Sequence, residues 1–218
     1  MPSLIKGDQD KMNAKQAKSM IKAIADSISQ NKDWLTELDA AIGDGDHGVN
    51  MAQGFEKATE KISMFNYELP SEVFKDAAMM LMSAVGGSSG PLFGSFFVKM
   101  AMRFRGAEVV SPELFGEALS DGVNGVISLG RASVGEKTML DALIPACEAY
   151  NCAVLERSNM VYALTKACEA AKQGAEDTVQ LVAKRGRISF LGDKTKGQKD
   201  PGAVSSALII EAMLKTFS

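Results

Sequence analysis

The sequence predicts an all-α protein folded as one domain. Apolar residues recur at spacings of three and four along nearly the whole chain, the mark of helices with one buried face. Alternating β-branched runs between turn signals, which strands require, are scarce. Thirteen methionines and abundant alanine favour helix over strand.

The helices are predicted in order. Met20, Ile21, Ile24, Ile28, Leu35 and Leu38 place a first long helix over 11–38, and a second is expected over 48–64 after a glycine-rich loop. Ser71 reads as the N-cap of a helix over 71–86 whose buried face is Phe74, Ala77, Ala78, Leu81 and Val85. An apolar helix over 91–105 follows the small-residue stretch Gly86 to Gly90. Ser111, Pro112 and Glu113 are a cap, a first-turn proline and a first-turn acid, and open a helix over 112–129. Thr138 is a candidate cap for 138–156, where Pro145 predicts a kink. Val161, Leu164, Cys168, Ala171, Ala175, Thr178 and Val182 give a clean helical stripe over 158–183. The segment 202–216, apolar almost all round, suits a helix enclosed by others. These make about eight helices in a single domain, 1–218.

Composition narrows the function. A chain of 218 residues with 46% hydrophobic and 23% charged residues can bury a sizeable core, so disorder is not the default expectation. A net charge of -3 without long basic runs argues against nucleic acid as a partner. Lys6, Asp8, Asp10 and Lys11 interrupt any leader-like apolar run, and no later segment is long and apolar enough for a bilayer. A cytoplasmic protein with no membrane contact is therefore expected. Cys147, Cys152 and Cys168 match no zinc or redox spacing and read as core thiols.

Three carboxylates crowd the segment Asp39-Ala-Ala-Ile-Gly43-Asp44-Gly45-Asp46-His47-Gly48-Val49-Asn50, with glycines that let the backbone turn around them. Such a loop can surround a hard cation, and a few acids suit magnesium with phosphate oxygens better than a closed calcium cage. An EF-hand is excluded, because Gly48 stands where an oxygen ligand belongs and Phe55 where the closing acid belongs. The competing reading makes Asp44 and Asp46 turn and cap residues; three acids facing one another without a cation would repel, which favours metal. His47, the lone histidine, either contacts a phosphate or caps the loop.

Three further segments lie between helices. Gly86-Gly-Ser88-Ser89-Gly-Pro91-Leu-Phe-Gly94 can converge amides and hydroxyls on an anion at a helix start, or serve as a flexible connection; it is no Walker A loop. Gly130 to Asp141 is a polar turn in which Met139 lies against a flat base or in the core. Lys184 to Gly202 is a long polar loop in which Arg187 suits a bidentate grip on phosphate and Asp200-Pro201-Gly202 could close over a ligand; a solvated basic loop is the alternative.

Taken together, Gly43-Asp-Gly-Asp-His-Gly48, Gly86-Gly-Ser-Ser-Gly-Pro-Leu-Phe-Gly94, Gly135-Glu-Lys-Thr-Met139 and Gly186-Arg187 through Asp200-Pro-Gly202 resemble the DhaL family of dihydroxyacetone kinase subunits, in order and at matching intervals over about residues 30 to 215. The resemblance implies a closed barrel of eight antiparallel amphipathic helices with a nucleotide site at one end. It implies ADP or ATP held through two Mg2+ ions on Asp39, Asp44 and Asp46, with His47, Gly48, Val49, Asn50, Ser88, Ser89, Gly130, Met139, Arg187, Asp200, Pro201 and Gly202 lining the nucleotide site. No side chain is expected to act as a nucleophile. Dihydroxyacetone would sit on a separate DhaK-type subunit, and a DhaM-type phosphohistidine subunit of a phosphotransferase system would recharge ADP. The alternatives are an ATP-dependent subunit for another small ketose such as erythrulose, a fatty-acid kinase domain, and a regulatory subunit that signals to a transcription factor. The Pro-Leu-Phe-Gly block and His47 favour dihydroxyacetone.

Overall fold

Residues 10–186 and 189–218 are described by a computed structural model. Among them stand nine α-helices: α1 (Ala14–Gln30), α2 (Lys32–Ile42), α3 (His47–Ser63), α4 (Pro70–Ala84), α5 (Ser89–Arg103), α6 (Pro112–Gly130), α7 (Leu140–Glu156), α8 (Met160–Asp177) and α9 (Pro201–Lys215). Two 3-10 segments, Thr178–Gln180 and Ser189–Thr195, lie between α8 and α9. The described residues contain no strand, only an isolated bridge in which Met12 and Val110 exchange backbone hydrogen bonds of 3.0 and 2.8 Å. All-α is therefore the observed class.

The first helix expected over 11–38 is instead two. Asn31 leaves helical geometry at φ -104° and ψ 10°, while its side-chain amide donates to the Ser27 carbonyl at 2.8 Å. A short polar side chain competing for backbone carbonyls in this way ends a helix that apolar spacing alone would continue. Redirection lets α1 bury Ile21, Ile24 and Ile28 in the main core while α2 lies across α3 and α9.

Other boundaries moved for local reasons. Ser71 is not the cap of α4: the helix begins at Pro70, and the Glu72 carboxylate accepts the N–H groups of Glu68 (3.2 Å) and Leu69 (3.1 Å). Helix α7 begins at Leu140 rather than at Thr138, whose hydroxyl accepts the Leu140 N–H at 3.2 Å while the Asp141 carboxylate accepts the Thr138 N–H at 2.7 Å. The stripe expected to reach 183 stops at Asp177, where the Thr178 hydroxyl turns back to the Ala175 carbonyl at 2.6 Å. The helix runs on through Pro145, whose ring removes the donor that would reach the Asp141 carbonyl, and Gly174 of α8 packs directly on that carbonyl. Ser111 caps α6 as read, accepting the Leu114 N–H at 3.3 Å.

Packing follows chain order and closes on itself. Contacts run α1 to α3, α4, α5, α6, α7, α8 and α9, and α9 returns to α1, with α2 laid beside α3 and α9. Phe55, Phe74, Phe96, Phe97, Phe104, Phe115 and Tyr150 fill the interior, with edge contacts such as Phe74–Phe104 at 5.1 Å and 89°. Cys147 and Cys168 are buried as read, but Cys152 is exposed, because five residues further along α7 point to its outer side. No helix among the described residues is long and apolar enough to cross a membrane.

Candidate functional site

A cleft of about 910 Å³ opens where the end of α2, the starts of α3, α5 and α9, the end of α6 and the turn before α7 meet. It gathers the segments before α3, α5, α7 and α9 around one space. Asp39 reaches it from the last turn of α2, and Asp44 and Asp46 from the following loop. One carboxylate oxygen from each lies within 4.8 Å of the others.

The loop conformation explains the cluster. Asp39, buried with 9% of its surface exposed, accepts the Asp46 N–H at 2.9 Å and the His47 N–H at 3.2 Å through Oδ2. Its other oxygen, Oδ1, faces Gly43, where any side chain would collide with it. Gly45 sits at φ 73°, in the left-handed region that favours glycine. Asp46 makes no side-chain cap to α3, so the reading of Asp46 as a cap does not hold; Asp39 takes the helix-start amides. Three carboxylate oxygens facing one space, one of them oriented by two amides, fit a hard cation that shares its shell with phosphate and water.

His47 bridges three helices. Its Nε2 lies 3.1 Å from the Ser205 hydroxyl of α9 and its Nδ1 3.2 Å from the Ser89 hydroxyl of α5. Since Ser205 already donates to the Gly202 carbonyl at 3.0 Å, Nε2–H donates to Ser205 and Nδ1 accepts from Ser89. Burial holds the imidazole below its ordinary range, against the opposing pull of the Asp39 and Asp46 charges, so it is neutral. In this position the ring ties the start of α3 to α5 and α9 at the edge of the cleft.

Opposite the carboxylates, Ser88 and Ser89 begin α5, and Ser88 makes no side-chain cap. The first amides of α5 are thus left without a side-chain cap where Ser88 and Ser89 line the cleft, an arrangement suited to an anion. A largely apolar wall of Leu92, Val126, Leu129, Gly130, Met139 and Leu140 adjoins it. Asp200, Pro201 and Gly202 close the remaining side at the start of α9, where Asp200 accepts the Ala203 N–H at 2.7 Å. Burial pushes the Asp200 carboxyl up to about 7, opposed by that N–H and the Lys137 charge.

Of the residues nominated from sequence, Asp39, Asp44, Asp46, His47, Asn50, Ser88, Ser89, Gly130, Met139, Asp200, Pro201 and Gly202 all line this cleft. Gly48 and Val49 do not. On α3, His47 and Asn50 are three apart and share a face, whereas Val49 is half exposed elsewhere and Gly48 is pressed against the Lys32 carbonyl of α2. Arg187 lies outside the described residues. Sequence reasoning passed over Lys137, Arg185 and Phe190, which also line the cleft. Lys137 falls within a recognised block, but lysine is so rarely buried that its type gave no signal.

A helical ring with a cleft that holds three carboxylates together with a serine-lined helix start defines a domain equipped for a metal ion and an anionic ligand. The chain belongs to the DAK2 domain family, which matches residues 41–215. It is 37% identical over 188 residues to the Escherichia coli "PEP-dependent dihydroxyacetone kinase, ADP-binding subunit DhaL", covering 86% of this chain and 90% of that protein. It is 38% identical over 193 residues to the Lactococcus lactis "PTS-dependent dihydroxyacetone kinase, ADP-binding subunit DhaL", covering 88% and 92% respectively. The crystal structure of the dihydroxyacetone kinase from C. freundii in complex with AMP-PNP and Mg2+ superposes with a TM-score of 0.71 at 26% identity, covering 99% of this chain and 36% of that one.

Proposed function

We propose that this chain is the nucleotide-carrying subunit of a phosphoenolpyruvate-dependent dihydroxyacetone kinase. It holds ADP with Mg2+ and passes a phosphoryl group to dihydroxyacetone on a separate DhaK-type subunit, and a DhaM-type subunit recharges the ADP. The observation that carries this reading is the convergence of Asp39, Asp44 and Asp46 in one cleft with the amide end of α5. Support comes from nearly full-length relatives that are ADP-binding subunits of such kinases.

Phosphoryl transfer asks little covalent chemistry of a protein; positioning and charge neutralisation dominate. Magnesium held in the cleft would supply positive charge to offset the charge developing on the phosphate. Asp39, oriented by the Asp46 and His47 amides, with Asp44 and Asp46, would hold the ions. The start of α5 would receive the phosphate chain, with the Ser88 and Ser89 hydroxyls at hand. Met139 and the wall formed by Leu92, Val126 and Leu129 would take the base. His47, neutral and engaged on both nitrogens, would keep α3, α5 and α9 in register and carry no proton in the reaction. The protein would work in the cytoplasm.

The test is to purify the protein, dialyse it extensively with magnesium, denature it and identify released nucleotide. Stoichiometric ADP supports the relay from a phosphohistidine donor. An empty protein that then binds ATP reversibly would place it in the ATP-dependent branch instead.

A further inference from the structure

Lys137 is the most buried basic side chain of the cleft, with 1% of its surface exposed, although it lies in a polar turn. Its ammonium donates to two main-chain carbonyls from separate segments, Thr178 at the end of α8 and Gln198 in the loop before α9. Its own backbone is left-handed at φ 62°, a conformation an unbranched residue keeps only when its surroundings hold it there. Asp141 anchors the same turn by accepting the Gly135 and Thr138 amides at 2.5 and 2.7 Å.

This arrangement joins two walls of the cleft. Two residues after Lys137 stands Met139; two residues after Gln198 stands Asp200, which caps α9 and precedes Gly202. A side-chain carbon at Gly202 would lie 3.5 Å from both the backbone nitrogen and the Cβ of Met139, so the two turns are in contact. Lys137 thus clamps the Met139 turn and the Asp200–Gly202 turn to one another from behind the cleft surface. A methionine of similar length would fill the same space without the cost of burying a charge. What the ammonium adds is two directed, charge-assisted bonds that set the spacing of the turns.

We propose that Lys137 is a positioning residue for the base of the nucleotide: by bonding the Thr178 and Gln198 carbonyls it fixes the distance between Met139 and the Asp200–Gly202 turn. This inference rests on the functional reading above. It assigns Lys137 to the base side only, because the carboxylate cluster is built from the α2–α3 loop, which Lys137 does not touch.

The experiment measures the affinities of the wild type, Lys137→Met and Lys137→Arg for ADP and for inorganic pyrophosphate, both with saturating Mg2+, beside the melting temperature of each. Pyrophosphate carries the metal-binding phosphates without a base. For Lys137→Met the expected result is a folded protein with ADP affinity lowered at least ten-fold and pyrophosphate affinity within about three-fold of wild type. Lys137→Arg, which keeps charge and donors, should recover most of the ADP affinity. Equal losses for both ligands, unchanged ADP affinity, or failure of Lys137→Met to fold would each overturn the inference, the last by making Lys137 a support of the fold. A wild type that binds neither ligand would overturn the functional reading instead.

Discussion

The carboxylate of Asp39 accepts the backbone N–H of Asp46 at 2.9 Å, seven residues along the chain. That bond folds the loop back on the end of α2, so the residue that supplies one oxygen of the carboxylate cluster also sets the position of another. The His47 N–H joins it on the same oxygen, leaving Oδ1 beside Gly43. Replacement of Asp39 should therefore separate two roles. Asp39→Asn keeps an oxygen that can accept both amides and is expected to fold normally while losing Mg2+ affinity, as read by calorimetric titration. Asp39→Ala removes the acceptor as well and should cost an additional ~1–3 kcal/mol of stability.

Asp44 is exposed in the loop and takes no part in holding α2 to α3 through the Asp39 bonds. Asp44→Ala is expected to abolish magnesium-dependent nucleotide binding in a protein that still folds. A folded variant that retains wild-type nucleotide affinity would remove Asp44 from the metal site.

At Gly48, α3 lies directly against the backbone of α2. A Cβ there would collide with the Lys32 carbonyl and crowd the Thr36 nitrogen, both backbone atoms that cannot rotate away. Gly48→Ala should push the two helices apart at a cost of about 1–3 kcal/mol, visible as a lowered melting temperature. Because the same displacement moves the Asp44–Asp46 loop, Mg2+ affinity should fall with it.

Asp200 gives a dependence on pH. In the unfolded chain its carboxyl loses its proton at about 3.9, whereas burial in the folded protein holds the proton to about 7. Between those values the folded state binds more protons, so this group's contribution to stability declines as pH rises through the window and is level above it. Asp200→Asn retains an oxygen for the Ala203 N–H and cannot ionise. Its advantage over the wild type should therefore be small at pH 4 and grow by up to roughly 1.4 kcal/mol per pH unit until about pH 7. Urea unfolding of the metal-free protein at pH 5 and pH 8 measures this; a difference that does not widen toward pH 8 would count against a buried, charge-bearing Asp200.

Much of the architecture was legible in the sequence because it is local. Ser111 and Asp200 cap helices through amides three residues away, and the buried stripes of α4, α6 and α8 repeat at three and four residues. Asp39, Asp44 and Asp46 could be read together because they lie within eight residues among glycines. Asn31 was not legible as a break, since apolar spacing continues through it and its competing bond to Ser27 is one option among several until α2 has a surface to pack on.

The sequence by itself determined the helical class, most helix starts and which interruptions carry polar chemistry, because hydrogen bonds and side-chain periods within one or two turns decide those. Only the tertiary structure decided that His47 meets Ser89 and Ser205, 42 and 158 residues away, that Val49 turns from the cleft while Asn50 faces it, and that Lys137 is buried between Thr178 and Gln198. Such pairings depend on which helix faces meet when the ring closes, and that is set by the packing of the whole core, which no short stretch of chain encodes.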